Sequence, residues 1–321
     1  MGSSPTFPRT PVHRAEYLVS LGYADGSGRI PSGKTVKNTR RFGCVTERVA
    51  RSTLDLLQDS CRTRSLAYHE IDAQHFDYAE TAVLSAGDLL YRPASTPAAL
   101  RVEQFVYAPG VATFYAGAKD RIFFVPTTQP LHFQRAGLPI PTTVYCGSAD
   151  RELLKGWIVR LGGFPLLAKM GGQAGVGVVM LDSYPALCSF VDYAIANNRY
   201  PTLTAYIKDA VLWRVVVVGE RAVAAYTCRA EPDDFRAYIP EGVESFTTDP
   251  PPRLATLAVE AVRALHLELG GVDILARDDA AYVLEANFPF SFQRAQLTYG
   301  FDIAAAIVDH LLRKAETLAE R

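Results

Sequence analysis

Apolar residues at Val49, Leu54, Leu57 and Cys61 recur at helical spacing and predict a helix over Glu47–Cys61. SLAYHEID (Ser65–Asp72) and GDLLYRP (Gly87–Pro93) have strand length and strand composition. PAALRVEQFVYAPG (Pro97–Gly110) predicts a helix closed by Pro-Gly, and VATFYAG (Val111–Gly117) a further strand. Strand and helix alternate, so residues 1–118 are expected to form an α/β domain with a largely parallel sheet. Beyond Gln129 the pattern predicts a short helix with a glycine stop, then a proline-punctuated entry to a helix over Asp150–Leu161. Strands FPLLAKM (Phe164–Met170) and VGVVML (Val176–Leu181) flank a glycine-rich turn, and a helix covers Tyr184–Asn197. Three strands follow: PTLTAYI, LWRVVVVG and RAVAAYTCRA. A helix over Pro252–Leu269 leads into a hairpin, GGVDILARDDAAYVLEANF, and an amphipathic helix over Ile303–Ala319 ends the pattern.

The 321 residues suffice for two domains or one large one. A formal net charge of −1 without long basic runs gives no nucleic-acid face. No apolar stretch is long enough for a membrane span. The N-terminal MGSSPTFPRTPVHR lacks the apolar segment of a secretory signal. It fits the loose myristoylation pattern M-G-x-x-x-[ST], although a disordered polar end is the plainer expectation. Cys44, Cys61, Cys146, Cys188 and Cys228 are odd in number and lack C-x-x-C spacing. That suits reduced thiols in a cytoplasm and gives no zinc signature.

GRIPSGKT (Gly28–Thr35) fits the P-loop pattern G-x-x-x-x-G-K-[ST], but its surroundings do not. A turn sequence, ADGS, precedes it, Pro31 removes an amide, and VKNTRRFG is no helix start. A solvated surface loop is expected. The stretch FPLLAKMGGQAGVGVVML has the better context. Lys169 ends a strand, and Gly171, Gly172, Gly175 and Gly177 let backbone amides approach an anion. An ordinary hairpin with a solvated lysine would read the same way.

The acidic hairpin carries the strongest chemistry. Glu285 and Asn287 lie two apart in a strand and share a face. Asp273 joins them if it stands opposite Glu285, which a regular ladder permits only with an odd loop such as Asp278–Ala280. A two-residue loop would set Asp273 against Leu284. Two carboxylates and a carboxamide oxygen on one face suit magnesium, and solvated acids on an edge hairpin are the plain alternative.

From about Phe133 onward the chain resembles the ATP-grasp superfamily, within it the RimK-like, ribosomal-protein glutamate ligase type of carboxylate–amine ligase. GVDIL…YVLEAN is the most specific part, and the resemblance implies that Asp273, Glu285 and Asn287 are magnesium ligands. WRVVVVGERAVAAYTCRAEPDDFR is similar to the family's arginine-bearing strand and its following F-R pair. Arg214 and Arg236 would then face the ATP γ-phosphate and an acyl phosphate. TAYIK resembles the hinge, where the backbone of Tyr206 and Ile207 would meet adenine and Asp209 the ribose. Lys169 and the glycine loop Gly171–Gly177 match the phosphate-binding segment, with Lys119 as a second lysine that stands further upstream than the family places it. FPFSFQRAQLTYG departs from the family's usual turn after the asparagine; with Arg294 it would line the acceptor side.

The resemblance implies an N-terminal α/β domain (1–118) followed by a two-lobed ATP-grasp domain (119–321), with a small lobe over 119–203 and a large lobe over 204–321. It implies a cytoplasmic ligase that takes ATP with Mg2+, or Mn2+ in its place. The substrates would be a small-molecule carboxylate and amine, or a peptide, in specialised biosynthesis. No nucleic acid or membrane is expected, and a homodimer is compatible. A kinase on the same fold, a non-catalytic nucleotide sensor and a P-loop protein are the alternatives.

Overall fold

The computed structural model describes residues 39–78, 84–117, 129–170, 176–228, 234–236 and 243–320. The P-loop-like and myristoylation patterns lie outside these residues, as do Lys119, Gly171, Gly172 and Gly175. The strands sort into three sheets.

The first sheet is parallel. Its central strand β1 (Arg41–Thr46) lies between β2 (Ala67–Asp72) and β3 (Leu89–Tyr91). Helix α1 (Arg51–Thr63) connects β1 to β2 and buries Leu54, Leu57 and Cys61, three of the four positions that predicted it. Helix α2 (Pro97–Val106) follows β3, and the Thr96 side chain caps it by accepting from the Ala99 amide. The hydrophobic pattern did not signal β1, because Gly43 interrupts it. A Cβ there would lie 2.9 Å from a Leu84 methyl, so a larger residue would have to displace that side chain.

The expected strand Val111–Gly117 is not a regular strand. Its backbone divides its bonds between two neighbours. Ala112 pairs with β3, whereas Tyr115 bridges Leu267 and the Phe114 carbonyl accepts from the Glu268 amide. The segment thus stitches the first sheet to the chain entering the third.

After α3 (Gln129–Arg135), the second sheet contains β4 (Thr143–Tyr145), β5 (Leu166–Lys169), β6 (Val178–Leu181) and β7 (Thr202–Ala205). They are antiparallel in the order β4-β7-β5-β6. Helices α4 (Arg151–Leu161) and α5 (Tyr184–Ala196) bury Leu154, Leu161, Leu187 and Val191 against it. The α4 helix starts on the Asp150 cap and stops at Gly162, whose φ of 86° suits glycine.

The third sheet contains β8 (Val211–Val218), β9 (Arg221–Cys228), β10 (Val243–Thr247), β11 (Leu269–Arg277) and β12 (Ala280–Asn287). It is antiparallel in the order β10-β9-β8-β11-β12. Helix α6 (Pro252–Ala264) covers it with Leu254, Ala258, Ala261 and Val262. That helix ends short of the expected Leu269. His266 adopts a positive φ of 56°, and Leu269 becomes the first residue of β11. Helix α8 (Ile303–Ala319) keeps the expected bounds, whereas β10 and the short α7 (Gln293–Tyr299) were not anticipated.

Candidate active site

The hairpin β11–β12 turns through two residues, Asp278 and Asp279, because Arg277 pairs directly with Ala280. The expected odd loop is therefore absent. A regular ladder from that turn would set Asp273 against Leu284. Instead the register slips: Ile274 pairs with Val283 and Asp273 with Glu285, leaving Leu284 as the extra residue of a β-bulge. The carboxylates meet as anticipated, but a bulge within the strand brings them together. On its other side Asp273 pairs with Arg214 of β8, so β11 presents its acid between a base and an acid.

Four side chains converge. Arg214 donates to Asp273 through Nε and Nη2, both at 2.6 Å, in a two-pronged bond. Asn287 Nδ2 lies 3.1 Å from Glu285 Oε1 and 3.4 Å from Asp273 Oδ2. Asp273 is buried, whereas Glu285 retains surface open to water. Burial works against the charge of Arg214, but the charge and hydrogen bonds of Asp273 outweigh it and raise the guanidinium above its ordinary value. The Glu285 carboxyl is also held above its ordinary value. Surrounding protein that thins its hydration contributes most, and the charge of Asp273 adds to it. Asn287, Lys169 and Arg214 oppose that rise, so the Lys169 ammonium acts on Glu285 from the second sheet.

Lys169 ends β5 and pairs with Val178 and Thr202. The Met170 amide donates to the Gly177 carbonyl at 3.1 Å, and Gly177 turns the chain with φ of 84°. Tyr206 and Ile207 are half-buried just past β7, and Asp209 is exposed. The intervening Lys208 carbonyl accepts from Arg277 at 3.2 Å, which fastens this segment to the end of β11. Arg236 is exposed and pairs within its own loop, 2.6 Å from Asp234. The structure thus brings Arg214, Asp273, Glu285 and Asn287 together with Lys169 nearby, and engages Arg236 elsewhere. Arg294 is exposed on α7. The aromatic residues before it do not line an open acceptor side: Phe288, Phe290 and Phe292 are buried in the core. Phe288 packs edge-on against Tyr115 at 5.5 Å and lies under the Arg92 guanidinium at 5.7 Å.

Residues 132–311 match the family model of the RimK-like ATP-grasp domain. The chain belongs to the RimK-like ATP-grasp family. It is 32% identical over 186 residues to the ribosomal protein bS6–L-glutamate ligase of Escherichia coli, an alignment covering 57% of this chain and 61% of that protein. The chain thus spans less than two thirds of the length of the curated relatives it matches. Among solved structures it resembles the ATP-grasp ligase PsnB complexed with minimal precursor, Mg and ADP. The TM-score is 0.64 at 16% identity, over 85% of this chain and 97% of that one. A RimK domain ATP-grasp protein from Sphaerobacter thermophilus superposes with a TM-score of 0.59 at 22% identity, over 85% of this chain and 99% of that one. These structural likenesses establish the ATP-grasp fold.

The donor set of this RimK-like chain fits a hard divalent cation, with two carboxylates opposite one another and a carboxamide on the same face. Among the described residues no group of three or more His, Cys, Asp or Glu could hold a metal. The third protein ligand would therefore be the amide oxygen of Asn287, presented by rotating the carboxamide that now aims nitrogen at both acids. Burial pushes the thiols of Cys44 and Cys61 up to about 12, far from nucleophilic range. No helix among the described residues is long and apolar enough to cross a membrane.

Sequence reasoning missed Gln129. Its buried side chain donates to the Ala286 carbonyl at 3.0 Å and accepts from the Ala286 amide at 2.9 Å. A lone glutamine opening a short helix gives no signal in the sequence; its role is visible only once β12 lies beside it.

Proposed function

We propose that this chain is an ATP-dependent carboxylate–amine ligase that forms an amide or peptide bond through an acyl phosphate. The observation that carries this reading is the facing of Asp273, Glu285 and Asn287 on one side of the hairpin with Arg214 locked beside them. Membership of the RimK-like family and the named activities of the relatives support it. Mg2+ held by Asp273, Glu285 and Asn287 would neutralise charge on the ATP phosphates.

The chain's own residues divide the remaining work. Lys169 offers a point charge to the phosphates beside the turn closed by Gly177, and the missing side chain at Gly171, Gly172 and Gly175 lets amides approach. Tyr206 and Ile207 present hinge backbone to the base, and Asp209 a carboxylate to the ribose. Arg214 stays charged at any working pH and steadies the transferring phosphoryl group. Arg236 would exchange Asp234 for the acyl phosphate. The substrate carboxylate attacks the γ-phosphorus, ADP leaves, and the amine displaces phosphate from the acyl phosphate. Positioning and fixed charge supply most of the rate in such transfers. The bS6 ligase and the PsnB complexes act on or hold protein and peptide partners, which favours a peptide on one side of the reaction here. Lys119, and Arg294 on the acceptor side, complete the proposed site.

The test is phosphate release from ATP with pooled amino acids and short peptides, followed by mass spectrometry. A ligase requires both an acid and an amine and yields a product lighter than its parts by one water. Turnover with the acid alone assigns a kinase instead, and nucleotide binding without turnover across the panel ends the catalytic reading.

A further inference from the structure

Among the described residues β12 is the edge of the third sheet, and no described strand pairs with its outer backbone groups. The fully buried Ala286 stands between Glu285 and Asn287, and Gln129 supplies what a strand would: one donor to its carbonyl, one acceptor for its amide. The chemistry of Ala286 also fixes which end of the Gln129 carboxamide carries nitrogen. Further along the edge, the Val283 amide donates to the Pro139 carbonyl at 2.8 Å. The bulge residue Leu284 lies between these two attachments.

We propose that Gln129 is a positioning residue: by gripping Ala286 it holds the bulged end of β12 in the register that turns Glu285 and Asn287 toward Asp273. The inference rests on the metal-binding reading of those three residues. Gln129 touches none of the reacting groups and acts through the backbone between two ligands, as outer partners of metal ligands do. Loss of the grip frees the strand edge to relax around the bulge, and both side chains lose their aim together.

The test uses Mn2+ as a spectroscopic probe, titrated into the full chain with saturating ADP and followed by electron paramagnetic resonance. Gln129→Ala is expected to weaken Mn2+ binding about 10- to 100-fold and to speed hydrogen exchange at the Ala286 amide. Leu57→Ala, which opens a cavity in the core far along the chain, serves as a control for lost stability. It should lower the melting temperature and leave Mn2+ affinity at the wild-type value. The inference is overturned if Gln129→Ala binds Mn2+ as the wild type does, or if Leu57→Ala weakens binding equally. Wild-type protein that binds no Mn2+ with ADP would remove the metal reading itself, and the inference with it. If Gln129→Ala does not fold, Gln129→Met keeps the length, loses both bonds and is held to the same criteria.

Discussion

Asp273 and Arg214 form a buried pair, with side chains 8% and 14% exposed. Removing one partner of such a pair strands the other charge and costs about 3–5 kcal/mol. Asp273→Ala is therefore expected to lose stability on that scale in urea denaturation as well as all ATP-dependent phosphate release. Glu285 works the other way. Its pKa is raised above the ordinary 4.5, so the folded state holds its proton more tightly than the unfolded chain. Stability from this group falls as pH rises from about 4.5 through the folded value. Metal-free Glu285→Gln should melt above the wild type at pH 7 and lose that advantage below pH ~4, while catalysis disappears. A lower melting temperature at pH 7 would refute the assignment. Glu285 and Asn287 were legible as a pair because alternation along a strand is strict, whereas Asp273 was expected beside them through an odd loop that the chain does not use. Gln129 was not, since its role depends on which strand lies beside its helix, and the pair of Arg236 with Asp234 was not, since it forms inside a single loop that carries no periodic signal.

At the scale of elements, helices such as α1 and α8 announced themselves because one face carries nearly all their apolar residues. Strand β1 stayed hidden behind Gly43, and β10 behind the polar string of its sequence. The β-bulge was unreadable for a different reason. Loop length and bulge both shift a ladder by one residue, and the sequence does not say which one the chain uses. Phe288, Phe290 and Phe292 show the opposite trap: these aromatic residues beside a site belong to the core rather than to its lining. Their support includes Arg92, which is ion-paired to Glu103 at 2.8 Å, with Tyr115 donating to the same carboxylate oxygen at 2.9 Å. Glu103→Ala should cost about 3–5 kcal/mol by stranding Arg92, whereas Arg92→Met with Glu103→Leu should be close to neutral. Chemical denaturation of both variants separates the ion pair's own worth from the penalty of breaking it.

For the whole molecule, Glu268 ties distant parts together. It accepts from Lys314 at 2.6 Å and pairs with His310 at 3.0 Å, while Lys314 also donates to the Thr113 and Tyr115 carbonyls. Burial pushes the Glu268 carboxyl up, but the bonds from His310 and Lys314 prevail and hold it below its ordinary 4.5. Its contribution is thus complete above about pH 4.5 and is lost as pH falls toward the depressed value. Glu268→Gln should lower the urea midpoint at pH 7 and flatten its decline between pH 5 and 3. The apolar clusters divide unevenly. Phe42 and Tyr91 of the first sheet and Leu57 of α1 share one core with Val215 and Val272 of the third sheet, whereas Leu154, Leu187 and Leu203 form a separate one. The segment enclosing that separate cluster enters through β4 and leaves through β7, and these strands are paired neighbours. Its ends therefore emerge side by side, so a relative's corresponding module could be transplanted with two junctions placed in one rung of hydrogen bonds, leaving the remaining scaffold uncut.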